Sequence, residues 1–176
     1  MRLFVAAELP EEIREALAET SALLRGCVRG RYVAPNSFHV TLAFLGEVEP
    51  HCVNGVCNAL ERGCAGHTAF PISLGDFGCF GKRSKATLWQ GFSNATALAK
   101  LAETVRAELR AEGFRFDEKP FIGHVTLMRS ADITTGKLPA PAFAEGTIER
   151  IALFSSDLSG PHPVYTPLHA VELSLH

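Results

Sequence analysis

His39-Val40-Thr41-Leu42 returns unchanged as His124-Val125-Thr126-Leu127, 85 residues further along a chain of 176. Both copies lie in β-prone stretches, predicted as strands over Ser37 to Leu45 and Phe121 to Met128. Strand side chains alternate between faces, so each histidine shares a face with its threonine, while Val40, Leu42, Val125 and Leu127 turn to the core. A strand with one apolar face and one His/Thr face is unusual for packing alone. Two of them, one in each half of the chain, suggest a groove with pseudo-twofold character.

Around the motifs, Arg2 to Ala7 reads as a strand, and Pro10, Glu11 and Glu12 open a helix whose stripe of Ile13, Leu17 and Leu24 runs to Gly26. A Gly/Arg-rich link follows. Pro50 to about Cys64 reads as a second helix and Phe70 to Leu74 as a strand, so the first half runs β-α-β-α-β. Lys82, Arg83 and Lys85 mark a loop, Ala86 to Phe92 a strand, and a helix capped by Ser93 ends at Gly113. Strands are predicted again over Thr147 to Ser155 and Val171 to Leu175, with the turn Ser159-Gly160-Pro161 between them. No Gly/Ser/Pro linker separates the halves, so residues 1–176 read as one domain of two lobes.

Composition narrows the function classes. With 47% hydrophobic and 20% charged residues the chain is globular in type, and a net charge of −2 argues against a protein that coats long nucleic acid by counterion release. A single phosphate at a nucleic-acid end needs only a few local donors. No apolar run approaches the roughly 20 residues of a membrane-spanning helix. The N-terminus carries no signal-peptide pattern, which predicts a cytoplasmic protein with no membrane association. The five cysteines are odd in number and form no CxxC pair, in keeping with a reducing compartment. Cys52, Cys57, Cys64 and His67 are the best metal candidates, but their spacing fits no familiar zinc pattern, so neither metal nor cofactor is expected.

The repeated motif suits one chemistry well. Opening a cyclic phosphodiester requires a base for the attacking water and an acid for the departing alkoxide, and imidazole serves as either near neutral pH. His39 and His124 on opposite sides of one phosphate supply both, while Thr41 and Thr126 donate hydrogen bonds to its non-bridging oxygens. Neither motif has a carboxylate within two residues, unlike a two-metal phosphoesterase site.

These residues resemble the two-histidine phosphoesterase superfamily, specifically the bacterial and archaeal RNA 2′,3′-cyclic phosphodiesterases, LigT-like proteins historically called 2′-5′ RNA ligases. The resemblance runs through RLFVAAELP, RYVAPNSFHVTLAFLGEV, GFRFDEKPFIGHVTLMRS and LFSSDLSGPHPVYTPL, nearly the whole chain. It implies a bilobal α+β fold, duplicated β-α-β-α-β units forming two antiparallel sheets around a central cleft, with helices outside. It also implies hydrolysis of RNA 2′,3′-cyclic phosphate ends to 2′-phosphomonoesters, with His39 as proton donor and His124 as proton acceptor. RNA or oligonucleotide ends are then the partner, and no protein partner is predicted.

Arg129 matches a basic position that the family often has after its second motif. Strict alternation puts it opposite His124, so it reaches a phosphate only if the strand ends or bulges after Leu127, and otherwise it is a solvated arginine. Gly123 departs from the family's pattern, where proline is common. Phe4, Phe44 and Phe80 are candidates to stack a base, or core residues. Arg29, Arg31, Lys82, Arg83 and Lys85 are candidates to steer an RNA end, or solvated charges. His51, His67, His162, His169 and His176 lack the motif context and receive no role. Two other functions use the same residues: an ATP-independent 2′-5′ RNA ligase, and a nucleotide-binding module without turnover.

Overall fold

The structure, a computed structural model, describes residues 1–175, so His176 lies outside it. In chain order it contains β1 (Arg2–Ala7), α1 (Glu11–Arg25), β2 (Arg29–Tyr32), β3 (Val40–Glu47), α2 (Val53–Cys64), β4 (Phe70–Phe80), β5 (Ala86–Phe92), α3 (Thr96–Ala111), β6 (His124–Asp132), β7 (Glu145–Ile148), β8 (Arg150–Asp157) and β9 (Val164–Glu172). Two antiparallel sheets result, one of four strands ordered β3-β1-β8-β9 and one of five ordered β2-β6-β5-β4-β7. Each draws on both halves of the chain. β3 and β6 come from different sheets yet touch, which brings the two motifs together.

Each element follows from local chemistry read against its partners. Ile13, Leu17 and Leu24 are fully buried on α1, and Glu11 and Glu12 in its first turn complement the helix dipole. α2 and α3 pack against each other, α3 reaches β3, and α2 reaches β8 and β9. Gly63 permits that helix pairing, because a Cβ there would stand 2.6 Å from the Cα of Val105. α1 packs instead on β7, where Gly146 meets the rings and chains of Pro10 and Ile13. Among the described residues, no helix is long and apolar enough to cross a membrane.

The α+β class and the two antiparallel sheets match expectation, while several elements differ in detail. The Gly/Arg-rich link forms β2, a strand with mostly exposed side chains that exists because β6 offers it a ladder. The single strand expected over Thr147 to Ser155 is two: Ile148 pairs with Phe70 in the five-stranded sheet, Ile151 pairs with Ala7 in the other, and the chain changes sheets at Glu149. β9 begins at Val164, not Val171, and tolerates Pro167 because it is an edge strand. Ser93 does not cap α3; its N–H donates to the Ser73 carbonyl, and the Asn94 side chain takes the Ser73 N–H. α3 is the only helix between β5 and β9, so the second half keeps one of the two helices in the expected unit.

Gly63→Ala should lower stability by about 1–3 kcal/mol through forced separation of α2 and α3. A urea midpoint shift with unchanged far-ultraviolet circular dichroism would record it, and an unshifted midpoint would show that the helices adjust freely.

Candidate active site

Both strands that carry the motif start at or just after the histidine, later than the sequence suggested. Before β3, the chain makes a 3-10 turn over Pro35–Ser37, where the Phe38 N–H returns to the Pro35 carbonyl. The Ser37 carbonyl is left pointing at the ring that follows: His39 Nδ1 lies 2.7 Å from it. β6 repeats the arrangement, with His124 Nδ1 2.6 Å from the Ile122 carbonyl. A carbonyl oxygen can only accept, so each Nδ1 carries the proton and each Nε2 is the free nitrogen. In His39 that nitrogen accepts from the Thr41 hydroxyl at 3.1 Å.

Beyond each threonine the ladder slips. Ala6 faces Thr41 but Val5 faces Ala43, leaving Leu42 as an extra residue; Trp89 faces Thr126 but Leu88 faces Met128, leaving Leu127 extra. Each bulge buries two successive side chains, Leu42 with Ala43 and Leu127 with Met128. The next residue therefore rejoins the histidine face. In β6 that residue is Arg129, and in β3 it is Phe44. Of the two possibilities open for Arg129 in the sequence, the structure has the bulge.

His39, Thr41, His124, Thr126 and Arg129 line one small cavity with Val33, Ser37 and Tyr165. No Asp or Glu is among these residues. Burial depresses both imidazoles: His39 falls from 6.5 to about 4, helped by the positive charge of Arg129, and His124 is lowered for the same two reasons. The hydrogen bonds to Ser37 and Ile122 act in the opposite direction but do not prevail.

Aromatic rings hold each histidine from two sides. Phe4 packs 4.8 Å from His39 while Tyr165 meets it edge-on at 5.3 Å; Trp89 lies 5.4 Å from His124 while Phe80 meets it edge-on at 5.1 Å. Trp89 fits because its cross-strand partner is Gly78, where a Cβ would stand 2.2 Å from the indole. Phe4 is 4% exposed and stacked on Phe154, so it supports His39 and has no face for a base. Phe44 lies under the Arg2 guanidinium, 4.6 Å from its ring centre. Phe80 keeps 39% of its surface exposed beside His124 and remains available for stacking.

Sequence reasoning missed Tyr165, Trp89 and Arg14. Tyr165 lies between two prolines that disguise β9, and Trp89 had no signal beyond its strand. Arg14, on α1, donates to the Pro35 and Phe38 carbonyls and clamps the turn that presents Ser37 to His39. Cys52, Cys57, Cys64 and His67 do not converge: Cys64 is buried with its thiol pushed up to about 12, and His67 bonds Thr104. Among the described residues no group of three or more His, Cys, Asp or Glu could hold a metal ion. Of the basic candidates, Arg31 lies across the ladder from Arg129, and Arg83 bonds the Ile133 carbonyl.

The family model described as LigT like Phosphoesterase matches residues 7–89 and 93–165. This chain is a LigT-like phosphoesterase. An RNA 2′,3′-cyclic phosphodiesterase of Thermotoga maritima is 30% identical to it, over 96% of this chain and 94% of the relative. A namesake from Escherichia coli is 32% identical, over 95% and 93%. The crystal structure of Escherichia coli LigT complexed with 3′-AMP superposes with a TM-score of 0.84, at 30% identity over 98% of this chain and 97% of that one. The two antiparallel sheets and three helices of this LigT-like chain thus match the fold of a solved member of its family.

The depressed histidines set the sign of a stability change. An unfolded chain titrates His39 near 6.5 and the folded chain near 4, so between these values the unfolded state binds more protons and stability falls as pH falls. The melting temperature should drop from pH 6.5 towards pH 4, and His39→Asn should flatten that slope. An equally steep slope in the variant would show that His39 is not the group responsible.

Proposed function

We propose that this LigT-like chain hydrolyses RNA 2′,3′-cyclic phosphate ends to 2′-phosphomonoesters by metal-independent catalysis with His39 and His124. One observation carries the reading: two imidazoles with the same tautomer, each with Nε2 unprotonated, share a cavity with two threonine hydroxyls, one guanidinium and no carboxylate. The curated relatives named RNA 2′,3′-cyclic phosphodiesterase support the substrate class. Five free cysteines fit a reducing cytoplasm as its location.

In this mechanism water attacks phosphorus in line with the 3′ oxygen. His124 Nε2 takes the proton from water as the new P–O bond forms. His39, protonated on Nε2, gives its proton to the 3′ oxygen as that bond breaks, so one proton enters and one leaves the pair. Thr41 and Thr126 donate to the non-bridging oxygens and Arg129 holds the charge that builds on them. Burial and Arg129 keep both imidazoles neutral in the free enzyme, and the anionic substrate reverses that bias at His39.

Since both free-enzyme histidines titrate below 6.5, kcat/KM should have both limbs of its pH profile on the acid side of 6.5, while kcat, which reports the bound complex, should extend to higher pH. A kcat/KM profile flat from pH 5 to 9 would contradict this. His39→Ala and His124→Ala should each lower kcat about 10²- to 10⁴-fold, and the double variant should fall little further. Thr41→Ala and Thr126→Ala should lose less. Turnover of a 2′,3′-cyclic nucleotide should survive exhaustive chelation and yield the 2′-phosphate; loss on EDTA that zinc or manganese restores would overturn the metal-free mechanism.

A further inference from the structure

Beside the histidine cavity lies a larger one of about 650 Å³, within the roughly 300–1,000 Å³ of small-ligand sites. The two share Val33, Ser37, Arg129 and Tyr165. A molecule whose end occupies the histidine cavity has this opening for the rest of its length. The larger cavity is lined by Arg25, Arg31 and Arg129, at the end of α1 and on β2 and β6, and by the segment from Pro161 to Tyr165, which is apolar except for His162. None of its lining residues is acidic.

The arginines are placed against their own electrostatic interest. Arg31 and Arg129 are direct cross-strand partners of β2 and β6, and like charges so placed repel. Among the described residues, carboxylate partners go to Arg14, Arg62, Arg110 and Arg150, and none lies within pairing distance of Arg25, Arg31 or Arg129. Arg25 is instead held over the Tyr32 ring at 4.5 Å, and Tyr32 is tied to the Val28 carbonyl by its hydroxyl. In a chain of net charge −2, three unpaired arginines around one apolar-walled cavity match a ligand that is anionic along one side and flat on the other.

We propose that this cavity is a second phosphate subsite, in which Arg31 and Arg25 take the phosphodiester upstream of the cyclic end while a base lies on the Tyr165 and proline wall. It makes the enzyme selective for oligonucleotides over cyclic mononucleotides. The inference rests on the phosphodiesterase reading above. Arg129, common to both cavities, holds the terminal phosphate, and its cross-strand neighbour Arg31 holds the next.

The test compares adenosine 2′,3′-cyclic monophosphate with a triadenylate ending in the same cyclic phosphate, for wild type, Arg31→Gln, Arg31→Lys and Arg25→Gln. Wild type should favour the trinucleotide by tenfold or more in kcat/KM, on the order of one charge-assisted contact. Arg31→Gln should bring that ratio near one, chiefly through KM, and make the salt dependence of trinucleotide binding shallower by nearly one unit of log–log slope. Arg31→Lys should keep the slope, and Arg25→Gln should repeat the Arg31→Gln result in weaker form. These exposed side chains can be changed without disturbing the core. A wild-type ratio near one, or a ratio untouched by Arg31→Gln, would overturn the subsite while mononucleotide turnover leaves the phosphodiesterase reading standing. Wild type inactive on both substrates would overturn that reading and the subsite together.

Discussion

The hydrogen bond from each motif histidine to the carbonyl two residues before it is the constraint on which the site depends. It fixes the tautomer, and it coincides with the start of each strand, the carbonyl being turned toward its own chain's imidazole just before the ladder begins. The chain meets that demand differently on the two sides. Before His39 a proline-led turn, clamped by Arg14 from α1, delivers the Ser37 carbonyl. Before His124 an irregular stretch reaches Gly123, whose missing side chain leaves room for Leu98 of α3 at 3.0 Å from where a Cβ would stand. Glycine at this position thus lets Leu98 of α3 approach the backbone.

A second shared device is the bulge at the last residue of each HVTL. It inverts the alternation and returns the second residue after that leucine to the histidine face, giving Phe44 on one side and Arg129 on the other. The backbone is pseudo-symmetric there and the chemistry is not. Only one side supplies a fixed cation to the cavity, and its charge reaches both imidazoles. Near-identical motifs can still give their two imidazoles different character because their surroundings differ, here in burial.

Much of this was legible in the residues. The repeated tetrapeptide located both histidines and both threonines, and the apolar stripe of Ile13, Leu17 and Leu24 defined α1. What stayed hidden depended on partners distant in sequence. Arg29–Tyr32 has no alternation to betray a strand and becomes one only against β6. Pro163 and Pro167 disguise β9, and with it Tyr165, since proline excludes a central strand but not an edge. Nothing local marks Glu149 as the point where the chain leaves one sheet for another. Arg129 could be placed on the correct face only once the Leu127 bulge was known, because one inserted residue reverses every later side chain.

Charge ties these features together. Arg129 attracts an anion and, by the same field, discourages protons on the imidazoles. An arriving phosphate cancels that field where it is strongest. Its negative charge would favour the imidazolium that burial opposed, so the proposed mechanism makes proton uptake by His39 part of binding. A solvent molecule carries no charge to make this exchange, so in the proposed mechanism the acid is loaded only when there is a bond for it to help break. In that mechanism, specificity for an anionic end and readiness for catalysis come from one guanidinium, whose position follows from a single extra residue in β6.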